Sequence, residues 1–106
     1  MFIVTSETIA GKPIVESLGL VRGNTIRARH IGRDILAGLR GIVGGEIKDY
    51  TLMLEKARDQ AVDRMVRQAT ELGADAIVAV RFTTSQTMSG AAEILAFGTA
   101  VRLGNE

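Results

Sequence analysis

The chain has 106 residues and no Cys, so we predict one domain over residues 1–106 without disulfides, thiolate metal sites or cysteine nucleophiles. Its 13 basic and 12 acidic residues leave a net charge of +1, which gives no global attraction to nucleic acid or to membranes. The longest wholly apolar run, 76–80, is far below the roughly 20 residues that span a bilayer, and we expect a cytoplasmic protein.

The first part of the chain is predicted to be extended. Residues 2–4 form a short strand candidate at a sheet edge. Pro13 cannot donate a ladder hydrogen bond and suits the start of a second strand, in which apolar residues alternate over 14–22. Gly and Asn at 23–24 predict a turn, with a short connecting segment over 25–29.

Two helices are predicted in the middle of the chain. The weaker one covers 31–43, where apolar residues recur every three or four positions but three glycines lower the helix propensity. The stronger one covers 50–73 and ends at Gly73, which adopts the left-handed conformation without a Cβ clash. Its apolar stripe must be covered in the fold and consists of Leu54, Ala57, Ala61, Met65, Ala69 and Leu72.

The last part of the chain is predicted to be a β-hairpin with its turn at 89–90. A two-residue turn there pairs residues whose numbers sum to 179, so that Phe82 faces Phe97. We assign the face with larger side chains to the long helix, namely Val78, Val80, Phe82, Leu95, Phe97 and Val101. The other face is apolar but small, and we assign it to another subunit: Ile77, Ala79, Ile94, Ala96, Gly98 and Ala100. A merely tolerated row of small residues is the alternative interpretation.

Together these elements predict an α+β fold. Three strands form an antiparallel sheet in the order 1-3-2, because a right-handed crossover places the first two strands on either side of the last one. The sheet packs on the long helix and the shorter helix, with small extra strands, and the uncovered face indicates a ring-forming oligomer.

Several short runs, in order and over nearly the whole chain, resemble the YbjQ-like family. They are Pro-Ile-Val-Glu at 13–16, Gly-Leu-Val-Arg-Gly at 19–23, Arg-Asp-Ile-Leu-Ala-Gly-Leu-Arg at 33–40, Ile-Val-Gly-Gly at 42–45 and Leu-Gly-Ala-Asp-Ala-Ile-Val at 72–78. The resemblance implies a dodecin-like subunit, a homopentameric ring in which short extra strands help assembly, and a poorly defined activity. The family also carries a heavy-metal-binding label.

The chain offers few ligands for such a metal. With no Cys and a single His, a soft or borderline metal would need His30 repeated around a ring, carboxylates or Met thioethers. Asp34 lies four residues after His30 and would orient its imidazole if the helix begins early enough. His30 is therefore the candidate metal ligand, and a capping or solvated His is the alternative; no other cofactor is expected.

The densest charged segment carries four Arg, the His and one acid: Arg27, Arg29, His30, Arg33, Asp34 and Arg40. Guanidinium groups suit bidentate binding of phosphate or carboxylate. The segment therefore predicts a site for an anion, a nucleotide or an acidic partner, while salt bridges between subunits are the alternative interpretation.

No catalytic motif accompanies these residues. The glycines around 38–45 match no phosphate-binding loop, and a single His gives no support to a Ser-His-acid triad. We therefore predict a non-enzymatic, homo-oligomeric protein with a structural role or a small-ligand or anion-binding role, and with no nucleic-acid or membrane partner. A metal-binding module that uses His30 and carboxylates is the alternative.

Overall fold

A computed structural model describes residues 1–28, 45–88 and 91–105. In chain order it contains strands β1 (Phe2–Ile3) and β2 (Ile14–Ala28), helix α1 (Gly45–Glu71), and strands β3 (Ala76–Met88) and β4 (Ala91–Leu103). The shorter helix predicted over 31–43 and the turn predicted at 89–90 lie outside the described residues.

The strands form one mixed sheet of four strands in the order β1-β3-β4-β2. The prediction of a three-stranded antiparallel sheet in the order 1-3-2 is therefore wrong. The finding that overturns it is β1, which pairs with β3 in parallel. Backbone hydrogen bonds from Phe2 N to Asp75 O (3.3 Å) and from Val4 N to Ile77 O (3.0 Å) hold the amino-terminal segment along β3. The sequence thus predicted a short edge strand at 2–4 correctly, but its pairing with β3 joins residues more than seventy positions apart and leaves no local pattern.

Strand β2 runs straight through the turn predicted at 23–24. Gly23 pairs with Ala96 of β4 as an ordinary ladder residue. A Cβ atom at Gly23 would collide with the backbone oxygen of Ala61 in α1. The glycine therefore permits a close approach of helix and strand. The sequence alone predicts that it forms a turn instead.

Helix α1 begins at Gly45 rather than at residue 50. Four members of the predicted stripe are fully buried against the sheet: Ala57, Ala61, Met65 and Ala69. Leu54 is partly buried at the edge of the same cluster, whereas Leu72 lies beyond the helix end and is 46% exposed. The helical period thus predicted the buried stripe correctly up to the last turn.

The carboxyl end of α1 closes with two hydrogen bonds that satisfy its last carbonyl groups. Gly73 N donates to Thr70 O (3.0 Å), and Ala74 N donates to Ala69 O (3.1 Å). Gly73 has a φ of 78°, in the left-handed region that a glycine adopts without strain. This is a Schellman motif, and the prediction that Gly73 ends the helix is confirmed.

The hairpin register differs from the prediction that paired residues sum to 179. Only Met88 and Ala91 pair that way, and irregularities between 86 and 88 and between 78 and 81 then shift the partners. Arg81, not Phe82, lies opposite Phe97. The second irregularity contains Ala79, which has a φ of 54°. An extra residue in one strand switches which face the following side chains occupy.

As a result, the face predicted for another subunit is the one that α1 covers. The main core cluster contains the buried residues of α1 together with Val21, Ile77, Val80, Ile94, Ala96 and Ala100. Val78 and Val101, which the sequence predicts to face the helix, instead form a second cluster with Ala76, against which Val4 and Ile9 pack. Small residues on both α1 and β4 allow the helix to lie close to the sheet.

Side chains of α1 also form hydrogen bonds with backbone groups on the outer, unpaired edge of β2. Gln68 Oε1 accepts a hydrogen bond from Arg22 N (2.7 Å), and Arg64 donates to Asn24 O (2.6 Å). Further along, the buried Thr25 hydroxyl donates to Ala57 O (3.1 Å). Because an unpaired strand edge invites association, these contacts protect β2, and they fix α1 alongside the last residues of that strand.

Candidate functional site

Of the predicted charged cluster, only Arg27 lies in the described part of the chain. Arg29, His30, Arg33, Asp34 and Arg40 lie outside it, so their arrangement stays a prediction. Arg27 pairs with Ala92 near the carboxyl end of β2, where the strand runs beside α1. The site is therefore built from this arginine outward.

The Arg27 side chain is partly buried between β2 and α1. One terminal nitrogen, Nη2, donates to the side-chain oxygen Oε1 of Gln60 in α1. Its Nε is buried and has no hydrogen-bond partner among the described residues. A buried N–H of a charged group without an acceptor is costly, so the hydrogen-bonding capacity of this guanidinium is not used up within the described residues.

Beside Arg27 lies an open cavity of about 380 Å³. Its described lining consists of Arg27, Leu52, Met53 and Lys56. Lys56 is exposed and precedes Gln60 by four residues, which is one helical turn on the same side of α1. Two positive side chains therefore border the cavity, and no carboxylate belongs to this described lining.

A second open cavity, of about 420 Å³, lies near the amino terminus and is lined by Thr8, Ile9, Gly11, Lys12, Pro13 and Ile14. The one charged group in its described lining, the Lys12 ammonium, lies 5.4 Å from the centroid of the Phe2 ring. That distance gives a cation–π contact within the chain. The cavity beside Arg27 is the better candidate because two cationic side chains belong to its described lining.

The six residues predicted as an oligomer face lie in a different setting from the one we expected. Ile77, Ile94, Ala96 and Ala100 are fully or almost fully buried in the core beneath α1. A Cβ at Gly98 would meet the Ile77 Cγ2 atom at 2.8 Å, so this residue also lies inside the subunit. Ala79 occupies the irregularity of β3. The row is thus covered within one chain and is not the open surface that we inferred.

The exposed part of the sheet is the opposite face. Leu20 and Ile26 of β2 are 64% and 61% exposed there. The register aligns Arg22, Phe97 and Arg81 in one row across three strands. The Arg81 guanidinium also donates to Thr5 O (2.8 Å). Sequence reasoning missed this surface because it assigned Phe97 and its neighbours to the helix.

A metal site is not formed by the residues that the structure describes. Among them, no group of three or more His, Cys, Asp or Glu side chains could hold a metal ion. The sequence has no Cys, and its one His, His30, lies outside the described ranges. The donor set of this part of the subunit therefore does not fit a heavy-metal site.

Sequence reasoning identified Arg27 but missed Lys56 and Gln60. It placed Lys56 on the solvated side of the long helix. The only signal available was the spacing of Leu52, Lys56 and Gln60 at four-residue intervals, which aligns them on one side of a helix. Nothing in the sequence indicated that Arg27 lies next to that side.

The family named YbjQ_1, described as "Putative heavy-metal-binding", matches residues 1–104. The chain belongs to this YbjQ-like family. The resemblance drawn from the sequence is thereby confirmed, over nearly the whole length of the chain.

Relatives match nearly the whole length of the chain. A UPF0145 protein of Archaeoglobus fulgidus is 62% identical over 103 residues, which cover 97% of this chain and 95% of that protein. A UPF0145 protein of Methanosarcina acetivorans is 58% identical over 105 residues, which cover 99% of each chain. Neither name assigns an activity, so this YbjQ-like family is one of unknown function.

A solved structure supports the fold of this family member. The crystal structure of a protein of unknown function from Pediococcus pentosaceus, of the DUF74 family, matches 98% of each chain with a TM-score of 0.70 at 20% sequence identity. At that identity the likeness concerns the fold alone. In the described ranges, no helix is both long enough and apolar enough to cross a membrane.

Proposed function

We propose that this YbjQ-like protein is a non-enzymatic, oligomeric protein that binds a small anion between Arg27 and Lys56. The observation that carries the proposal is the Arg27 guanidinium on the wall of an open cavity whose described lining holds no carboxylate. An anionic oxygen in that cavity would accept charge-assisted hydrogen bonds from this guanidinium. The ammonium group of Lys56 supplies a second positive charge on the wall of the same cavity.

The surroundings of Arg27 also support binding of an anion rather than a fixed internal ion pair. Its observed side-chain partner is the neutral amide of Gln60, which positions the guanidinium without neutralising it. A guanidinium held in this way has donors left for a ligand. Because Lys56 is exposed, solvent screens its charge, and we expect it to contribute less than Arg27.

Replacement of Arg27 by Gln is expected to weaken anion binding by at least about tenfold, since a hydrogen bond to a charged group contributes about 1.5–3 kcal/mol. Isothermal titration calorimetry with sodium acetate and with sodium phosphate, at constant ionic strength, measures this loss. The wild-type protein should bind at least one of the two anions saturably, with millimolar affinity. Lys56→Gln should weaken binding by a smaller factor.

The matched control is Arg58→Gln, which removes the same charge from an exposed position on α1. If binding is local, this variant should keep nearly the wild-type affinity, because Arg58 is not among the described lining residues of the cavity and solvent screens its exposed charge. Loss of binding in Arg58→Gln equal to that in Arg27→Gln would contradict the site. Absence of saturable binding by the wild-type protein would contradict the function.

We also propose that the subunits assemble as a homopentamer. The described subunit is long and thin, with extents of 59 × 21 × 17 Å and a radius of gyration of 17.7 Å. A compact domain of similar length has a radius of gyration of about 13 Å. Together with the exposed apolar side chains of Leu20 and Ile26, this shape supports association with further copies.

Native mass spectrometry of protein purified without added metal or chelator is expected to give five times the subunit mass of 11.3 kDa. Mass beyond that of five chains would reveal a tightly bound ligand in the same measurement. A monomer, or a different subunit count over a range of protein concentrations, would overturn the pentamer. The anion site is tested separately by the calorimetry above.

The alternative is a metal-binding module built from His30 and carboxylates, which the family description favours. In a ring, His30 would recur once per subunit, and a metal could then bind where no single subunit supplies enough ligands. Adding zinc before native mass spectrometry should increase the wild-type mass but not that of His30→Ala. Equal zinc uptake by the two proteins would exclude His30 as the ligand.

A cytoplasmic location stays a prediction from the sequence.

A further inference from the structure

The cavity beside Arg27 is larger than a small inorganic ion requires, and half of its described lining residues are apolar. Its volume of about 380 Å³ lies in the range of cavities that take organic ligands, about 300–1,000 Å³. Two of its four described lining side chains are apolar, Leu52 and Met53. Pockets for organic ligands combine such apolar walls with a few convergent polar groups.

The helical spacing separates the polar and apolar parts of this lining. Leu52, Lys56 and Gln60 follow one another at four-residue intervals, so they lie along one side of α1. Arg27 is hydrogen-bonded to Gln60, and the cationic end of the cavity therefore lies toward that residue. Leu52 lies about 6 Å further along the helix axis than Lys56, which is slightly more than one turn toward the amino terminus.

Leu52, which lines the cavity, is also one of the exposed large apolar side chains of the subunit. Its side chain is 46% exposed, although most of the other apolar side chains of α1 that the structure describes are buried or partly buried in the core cluster. Met53 is half-buried next to it. An exposed leucine and a flexible methionine form a surface on which an apolar chain can lie, and Met adapts readily to ligands of different shape.

From this arrangement we propose that the ligand is an amphipathic anion, with its head group between Arg27 and Lys56 and an apolar chain over Leu52 and Met53. The inference rests on the proposed anion-binding function and names the ligand class for that site. A carboxylate head and a phosphate monoester head share the required chemistry, and the experiment below separates them. Because each buried methylene group gains roughly three- to fourfold in affinity, partial burial of an alkyl chain should tighten binding about 10- to 100-fold.

The test is a set of calorimetric titrations with four defined ligands: acetate, octanoate, inorganic phosphate and octyl phosphate, each below its micelle-forming concentration. For at least one head group, the eight-carbon ligand should bind the wild-type protein about 10- to 100-fold more tightly than the short ion. The head group that shows the larger gain identifies the ligand as a carboxylate or as a phosphate monoester.

Two serine variants locate the chain-binding surface. Leu52→Ser should lose most of the gain from the alkyl chain while keeping the affinity for the short ion. Leu72→Ser is the matched control, because Leu72 is also 46% exposed but lies beyond the other end of α1. The circular dichroism spectrum and the number of subunits seen by native mass spectrometry should be unchanged in both variants, since an exposed leucine contributes little to the core.

The outcomes separate this inference from the proposed function. Binding of acetate or phosphate without any gain from the chain would overturn the amphipathic ligand and leave the anion site standing. A gain that Leu52→Ser and Leu72→Ser lose equally, or that neither loses, would show adsorption elsewhere and would also overturn the inference. Failure of all four ligands to bind would overturn the anion site itself.

Discussion

Gly23→Ala is expected to lower the free energy of unfolding by about 3 kcal/mol or more. The added Cβ would meet Ala61 O of α1, and it would lie 2.8 Å from Arg64 Cβ. The first of these atoms belongs to the helix backbone and cannot move by a change of rotamer. Helix α1 would have to shift away from β2, which would also weaken the contacts of Gln68 and Arg64 with the strand edge.

Urea denaturation followed by circular dichroism, at one fixed subunit concentration, measures this loss. The concentration must be fixed because association of subunits contributes to apparent stability. Ser17→Ala is the matched control, since Ser17 is an exposed residue of the same strand, and its effect should stay within about 0.5 kcal/mol. A Gly23→Ala variant with the midpoint of the control would mean that α1 does not lie close to β2.

Met65→Ala is expected to destabilise the protein by about 2–5 kcal/mol, the usual cost of truncating a large apolar side chain in a core. Met65 is fully buried and is among the largest side chains in the core cluster. Its neighbours on the helix, including Ala61 and Ala69, are too small to fill the cavity that its removal would leave. The melting temperature should fall by about 8 °C or more, since each kcal/mol shifts it by about 4–8 °C in a domain of this size.

Two further variants show whether the loss of stability comes from the lost side-chain volume in the core or from any substitution in α1. Met65→Leu conserves most of the volume and should cost less than about 1.5 kcal/mol. Arg67→Ala, at an exposed position of α1, should change stability by less than about 0.5 kcal/mol. If Met65→Ala melts at the same temperature as Arg67→Ala, the apolar stripe of α1 does not form the core.

The candidate site shows how little of a binding surface a sequence can reveal. Arg27 was identified by its place in an Arg-rich segment, and that part of the reasoning needs no structure. Lys56 and Gln60 are separated from it by about thirty residues and follow a pattern shared with many solvated helix surfaces. They join Arg27 only because β2 extends past Gly23 and brings its last residues alongside α1.

The sequence by itself determined the long helix, its buried stripe from Ala57 to Ala69, its end at Gly73 and membership of the YbjQ-like family. These features depend on local chemistry: a 3.6-residue period, a glycine that accepts a left-handed conformation, and short runs of particular residues. None of them requires knowledge of which segments meet in the fold.

Only the tertiary structure decided where the short first strand pairs, the strand register and the side of the sheet that α1 covers. Both faces of the hairpin are apolar, so alternation in the sequence could not indicate which face is buried. The choice depends on the irregularity at Ala79, where Ala79 N donates to Ser6 O (2.8 Å) and Val80 N donates to Val4 O (3.0 Å). Those acceptors lie more than seventy residues away in the chain, and such a long-range pairing leaves no trace in the local pattern.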